Sequence, residues 1–363
     1  MRSQFPRRSL ANSATIAALA ACLGAACVDI ETLPPITTTS TSAGGSTSTG
    51  GDSTSSSAAG AGGAGGASTS STDSTSSSTP PPLSFTAVFT ILLENHDYNE
   101  IIGSPDAPYI NSLADQYSLA TNYFDCGVHP SLPNYLYLVS GDTQYPGGSN
   151  VGPEYAPFFP SPADNLGMQM ELAGIAWRSY QESMPTPCHL TDAWPYVPRH
   201  NPFPYFANIQ DSDDGLCALR NVDYSLFAAD LAAGANRFYW ITPNQIHNGH
   251  DPIFDPPGAL RESDEWLSVE LPKILASDAY TSGGVVFVTW DEAEGRNGND
   301  LHQVPMIVIS PKLKSPGMKV ATRLDHGAWL ATMEDLFDLP RLGAAASSPT
   351  LFEFFEDAAG PSP

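Results

Sequence analysis

From Leu83 onward the chain alternates between two hydrophobic patterns. Phe85–Leu93 is a continuous apolar, β-branched run, and Phe238–Thr242, Val285–Trp290 and Val304–Ser310 repeat it. A run that is apolar at consecutive positions leaves no face for water, so these segments predict strands buried on both sides of a parallel sheet. Between them, apolar residues recur at helical spacing in Tyr109–Gln116, Leu132–Val139, Asn165–Ala173, Tyr224–Ala233, Glu265–Leu275 and Ala328–Phe337. The alternation predicts an α/β fold, a mostly parallel sheet with helices on both faces. The Pro-rich stretch Tyr145–Pro162 and the section Met184–Cys217 are expected to be long loops or a cap, with Trp194–Phe206 as a wall over the site. No internal repeat is visible.

Residues 1–82 follow neither pattern. Met1–Cys22 places Arg2, Arg7 and Arg8 before a short Ala-rich stretch that ends in Leu19-Ala20-Ala21-Cys22. This is expected to be a secretory signal peptide, and its end resembles the bacterial lipobox, in which Cys22 would receive lipid. Ordinary cleavage near Ala26 is the alternative, and Cys27 stands in a poorer lipidation context. Residues 23–82 read as a tether, because Thr37–Thr79 is almost only Ser, Thr, Gly and Ala and cannot offset its ordering entropy by burial. Pro80-Pro81-Pro82 stiffens the boundary. The expectation is a body at 83–363, in the bacterial cell envelope, lipid-anchored to a membrane or secreted. No stretch of that body reads as a membrane span.

Charge narrows the partners. The 363 residues carry 15 Lys and Arg against 39 Asp and Glu, a formal net charge of −24. Only Arg2, Arg7 and Arg8 among the cations, and Asp29, Glu31, Asp52 and Asp73 among the acids, precede Leu83, so the acidity belongs to the body. Nucleic-acid binding needs basic stripes to neutralise phosphates, and none is present. An anionic substrate would need another positive element, and a divalent metal ion in an acidic pocket is the natural one.

Three predicted strands run directly into polar clusters: Glu94-Asn95-His96, Pro243-Asn244-Gln245 and Asp291-Glu292. Open α/β sheets bind ligands at the carboxyl ends of their strands, so these clusters should converge there. Glu94, Asn95, Asp291 and Glu292 offer three carboxylates and an amide oxygen, hard ligands for a hard or borderline cation. Either pair alone reads as well as a helix cap or a solvated turn; both together favour the metal. His129-Pro-Ser131-Leu-Pro-Asn-Tyr135 opens a helix, where Ser131 is either a cap or a hydroxyl favoured as an anion by the helix N-terminus. His250-Asp251 and Asp325-His326 pair imidazole with carboxylate in a turn, and His302 precedes a strand. His189, His200 and His247 read as ordinary hydrogen-bonding histidines. Gly-x-Ser-x-Gly, Walker, His-Glu-x-x-His and dinucleotide fingerprints are absent, which argues against the usual α/β serine hydrolase. Cys188 with Cys217 is the favoured disulfide in an oxidising compartment, with Cys126 either an alternative partner of Cys188 or a buried thiol.

These segments resemble a known family. Leu93 to His96 (LENH), Pro108 to Ala114 (PYINSLA), His129 to Tyr135 (HPSLPNY) with Leu138 to Gly141 (LVSG), Ile241 to Asn244 (ITPN) with Gly249 to Asp251 (GHD), Val288 to Glu292 (VTWDE) and Asp325 to Gly327 (DHG) look like the bacterial phosphoesterase family. That family holds acid phosphatases and phospholipases C within the alkaline-phosphatase-like superfamily, and the likeness runs in order from Phe85 to Gly343. It implies a metal-dependent phosphoric ester hydrolase working through a phosphoserine. Glu94, Asn95, Asp291 and Glu292 would hold a divalent ion (Zn, Ca, Mg or Mn). Ser131 would be the nucleophile, and His129, His250, His302 and His326 would surround the phosphoryl group or protonate the leaving oxygen. Asn134, Asp251 and Asp325 would support them or serve a second metal. Cys188 and Cys217 also sit where many members carry cysteines. Ile246-His-Asn-Gly-His250 departs from the more usual Asn-Asp-x-His, which leaves His247 without a role. A phosphomonoesterase is the leading expectation, a phospholipase C or other phosphodiesterase the closest alternative, and a catalytically inactive surface-binding lipoprotein the alternative from another class.

Overall fold

The computed structural model describes residues 83–250, 258–295 and 301–356. Cys22, the tether and Asp251 lie outside the described residues. Among the described residues ten strands follow in order: β1 (Val88–Leu93), β2 (Ser118–Ala120), β3 (Tyr123–Phe124), β4 (Trp177–Gln181), β5 (Asn221–Asp223), β6 (Phe238–Thr242), β7 (Val285–Trp290), β8 (Met306–Ile309), β9 (Lys319–Val320) and β10 (Leu324–Asp325). Eight form one sheet in the order β5-β4-β6-β1-β7-β8-β2-β9, while β10 pairs with β3. The first five of that order run parallel, and β8 alone runs against its neighbours. The sheet is thus mostly parallel, and the segment Val304–Ser310, read as one more parallel strand, supplies the reversed one.

Burial explains why the apolar runs become central strands. Every residue of β1, β6, β7 and β8 is buried. Side chains alternate across a strand, and β6 shows both faces covered. Trp240 meets Trp329 of the helix His326–Leu336 and Tyr135 of the helix Ser131–Ser140. Its neighbour Tyr239 meets Phe227 of the helix Phe227–Ala233. Tyr224 links that second layer to Trp266 of the helix Gly258–Leu275. Trp177, Trp240, Trp290 and Trp329 are all fully buried, so each contributes on the order of 2–3 kcal/mol or more by the area it removes from water.

Other expectations shift at their edges. The helix expected over Glu265–Leu275 begins at Gly258. Its first turns expose Arg261 and Glu265 but bury Asp264, which accepts from the amides of Tyr109 and Ile110, capping the helix Pro108–Gln116 from outside. The section Met184–Cys217 is a cap containing short helical turns at Pro198–His200, Phe203–Tyr205 and Ala207–Gln210. Cys188 and Cys217 form a disulfide that ties it down, and Cys126 is not disulfide-bonded. Among the described residues no helix is long and apolar enough to cross a membrane.

Candidate active site

The neighbours β1 and β7 are in register through Leu93 and Trp290, and the Asp291 amide donates to the Leu93 carbonyl at 3.0 Å. Glu94 and Asp291 therefore leave the sheet side by side. Asn95 turns there with φ of 40°, in the left-handed region that Asn tolerates better than most residues, and its amide donates to Asp291 Oδ1 at 3.2 Å. Glu94, Asp291 and Glu292 are all buried.

Ser131 stands among these carboxylates. It is the first residue of its helix, with Pro130 at the cap position, and its side chain caps nothing. Its Oγ instead lies 3.1 Å from Glu94 Oε2 and 3.2 Å from Glu292 Oε1. One turn on, on the same helix face, Tyr135 donates its hydroxyl to Glu94 Oε1 at 2.5 Å. Burial holds Glu94 up at about 8, the nearby Glu292 charge adds to this, and the Tyr135 and Ser131 hydrogen bonds oppose it. Burial, then Glu94 and Glu292, push Asp291 well above the carboxylate range. Carboxylates that repel one another out of water are stabilised by a cation between them.

The donor set fits that group. Asn95 Oδ1 and Asp291 Oδ2 are buried with no hydrogen-bond partner, and all the oxygens are hard donors suited to a divalent ion. A second set lies close by, where one ligand atom each from His96, from Glu100 in the short helix Tyr98–Ile101 and from Glu294 falls within 4.8 Å of the others.

Histidines flank one side. His129 Nδ1 is hydrogen-bonded to Glu292 Oε2, and its ring centroid is 5.1 Å from that of His302. His302 Nδ1 lies 3.0 Å from Asp125 Oδ1. Asp125, which the sequence reading passed over, is itself fixed by the amides of Gly127 (2.7 Å) and Ala293 (3.0 Å), and burial raises its pKa. It joins the loop before Ser131 to the loop after β7. His200, read as an ordinary histidine, is buried against Tyr135 with Nε2 3.3 Å from Glu94 Oε1, and burial drives its pKa well down.

Two expected members stand elsewhere. His326 is fully buried, with Nδ1 3.0 Å from the Tyr123 hydroxyl and Nε2 2.6 Å from the Asp291 carbonyl. Burial lowers its pKa to about 4, and both ring nitrogens are taken up, by the Tyr123 hydroxyl and by the Asp291 carbonyl that the ring braces. Asp325 caps the helix His326–Leu336 through the Ala328 amide at 3.0 Å. Asn134 pins the Cys126–Pro130 loop, accepting from Cys126 N and donating to the Val128 carbonyl. His250 lies in the loop after β6, its amide bonded to Asn248 Oδ1. His247 pairs with Glu182 at 2.9 Å, and that hydrogen bond raises its pKa.

Comparison with known proteins places this arrangement. Residues 102–340 match the phosphoesterase family. The chain is 29% identical over 279 residues to a phosphatidylinositol-3-phosphatase of Mycobacterium tuberculosis, covering 76% of this chain and 84% of the relative. It is 30% identical over 286 residues to a probable acid phosphatase of Kluyveromyces lactis, spanning 76% of this chain and 63% of that protein. A solved protein of the alkaline phosphatase superfamily from Vibrio parahaemolyticus shares the fold, with TM-score 0.51 and 13% identity over 77% of this chain and 74% of that one. A lipoteichoic acid synthase of Listeria monocytogenes does so with TM-score 0.50 and 11% identity, over 76% of each chain. With its sheet, its strand-end acids and its matched sequence, the chain belongs to the phosphoesterase family and is a phosphoric ester hydrolase.

Proposed function

We propose that the protein is a metal-dependent phosphomonoesterase of the cell envelope that works through a phosphoserine at Ser131. The observation that carries the reading is the Ser131 hydroxyl, taken out of the role of helix cap and held between Glu94 and Glu292. Glu94, Asn95, Asp291 and Glu292 would hold the divalent ion. When bound, that ion neutralises the carboxylates and favours the alkoxide over the alcohol.

Ser131 gives its proton to a carboxylate that receives it, and Oγ attacks phosphorus as the bond to the leaving oxygen breaks. A proton from the His129 and His302 pair completes the leaving alcohol. Asp125 keeps His302 Nδ1 occupied, which aims the other ring nitrogen away from the carboxylate; Asp125 is a positioning residue. Water then attacks phosphorus, giving a proton back to the histidine pair; the bond to Oγ breaks, Oγ takes its proton back from the carboxylate, and inorganic phosphate is released. His326 orients the Asp291 backbone, and His250 is assigned to the phosphoryl group, with Asp251 supporting it or serving a second metal.

Monoesters are favoured because the relatives described above are named phosphatases, one of them for a phosphate on a lipid headgroup. Residues 1–22 are assigned to a signal peptide lipidated at Cys22 and residues 23–82 to a tether, which would hold the enzyme at a membrane. The test is hydrolysis of an aryl phosphate monoester and its diester before and after chelation, with metal add-back, by wild type and Ser131→Ala. Chelator-sensitive monoester turnover that is lost in Ser131→Ala is expected. Diester preference would favour the phospholipase C reading, and activity in Ser131→Ala would remove the assigned nucleophile.

A further inference from the structure

Beside the nucleophile helix lies a cavity of about 260 Å³, walled by residues 150–152 on one side and by Leu190, Asp192 and Arg199 of the cap on the other. It has room for a small ring or polyol. Two contacts tie it to the chemistry. Asn150 Oδ1 accepts from the Leu132 amide at 3.1 Å, so one rim is fastened to the residue after Ser131. Arg199 on the other rim precedes His200, whose Nε2 lies 3.3 Å from Glu94 Oε1.

The arginine differs from its counterparts. Arg178, Arg220, Arg237, Arg261 and Arg341 all donate hydrogen bonds, and Arg323 lies 3.9 Å over the Phe124 ring. Arg199 makes no hydrogen bond among the described residues. Its closest carboxylate oxygen, Asp192 Oδ1, is 3.6 Å away on a side chain 71% exposed, a loose and screened pair. A guanidinium carries five donors in a planar fork shaped for carboxylate or phosphate. In a chain of net charge −24, a half-buried fork left open toward a cavity is a site for an anion.

We propose that this cavity is a leaving-group subsite, in which Arg199 binds a second anionic group carried by the alcohol whose phosphate is removed. The preferred substrates are then phosphate monoesters of alcohols that bear a further phosphate or carboxylate. The transferred phosphoryl group belongs at Ser131 Oγ, among Glu94 and Glu292, whereas the Arg199 cavity is walled by other residues. The inference rests on the phosphomonoesterase reading and refines it.

The test compares propyl phosphate with propane-1,3-diol bisphosphate on wild type, Arg199→Gln and Arg199→Lys. Arg199→Gln should raise KM for the bisphosphate about tenfold or more, as loss of a charge-assisted hydrogen bond does. It should leave kcat and both parameters for propyl phosphate within about twofold, and Arg199→Lys should restore part of the loss. Equal loss on both substrates would place Arg199 at the transferred phosphoryl group and overturn the subsite, as would no change on either. Calorimetric titration of both esters into Ser131→Ala and Ser131→Ala/Arg199→Gln needs no turnover. If wild type hydrolyses neither ester, the phosphomonoesterase reading falls and calorimetry decides the cavity alone. A bisphosphate preference that vanishes with Arg199 supports it, and its absence in Ser131→Ala overturns it.

Discussion

Glu94→Gln in metal-free protein is expected to stabilise the fold at alkaline pH. A carboxyl held at about 8 in the folded chain against an ordinary 4.5 binds its proton more tightly when folded. Folding is therefore favoured most below about 4.5, and that advantage is lost as pH rises from 4.5 to 8, because the unfolded chain has released a proton that the folded one retains. At about 1.4 kcal/mol for each pH unit, the interval amounts to about 5 kcal/mol. Asp291, raised for the same reasons, acts in the same direction. Glutamine keeps one oxygen to accept from Tyr135 and turns its NH2 toward the Ser131 oxygen, which can accept, while removing the charge, so the chelated variant should match wild type near pH 4.5 and exceed it by up to about 5 kcal/mol at pH 8. A saturating divalent ion should restore wild type at pH 8 and do much less for the variant. Urea denaturation at pH 4.5, 6.5 and 8, with chelator and with metal, measures each difference. Parallel wild-type and variant stabilities across that range would refute the burial argument for Glu94.

Further outcomes follow from other contacts. Tyr135→Phe deletes the hydroxyl on Glu94 and should weaken metal binding by about 10- to 100-fold, read by competition with a chromophoric chelator; unchanged affinity would remove Tyr135 from the site. Asp125→Asn should lower kcat by about 10- to 100-fold and alter the pH profile, since it withdraws the carboxylate that fixes His302; an unaltered profile would leave Asp125 a purely structural residue. Opening the Cys188–Cys217 bridge by Cys188→Ala should cost about 3–4 kcal/mol, given a sequence separation of 29, with thermal denaturation as the readout. Cys22→Ala should abolish fatty-acid labelling of the protein in its host, and persistent labelling would assign the lipid to another residue.

The parts of the fold legible in sequence were those whose burial is complete. Strands β1, β6, β7 and β8 are apolar at nearly every position because both faces are covered. β4 was missed because Trp177-Arg-Ser-Tyr-Gln181 mixes polar and apolar residues, with Arg178 reaching out to Asp230. The strands of two or three residues, such as β3 and β10, are too short to show a period. The same contrast governs the site. Acids directly after a buried strand stand out, so Glu94, Asp291 and Glu292 were visible. Asp125 follows a two-residue strand, and His200 sits in the cap, so only tertiary contact reveals them. Tyr135 could have been found by stepping one turn along the helix from Ser131.

The register of β1 on β7 acts as a ruler for the chemistry. With Leu93 opposite Trp290, the distance between the acid clusters is set inside the sheet. Slipping it by one residue would turn the buried side chains of a strand to the other face. The wall around Arg199 and Asn150 belongs to loops outside the sheet and is under no such constraint. Grafting residues 190–199 from a relative should therefore exchange the range of leaving groups while His200, Asn150 and the hydrolytic step stay in place, a separation that lets one catalytic frame serve many substrates.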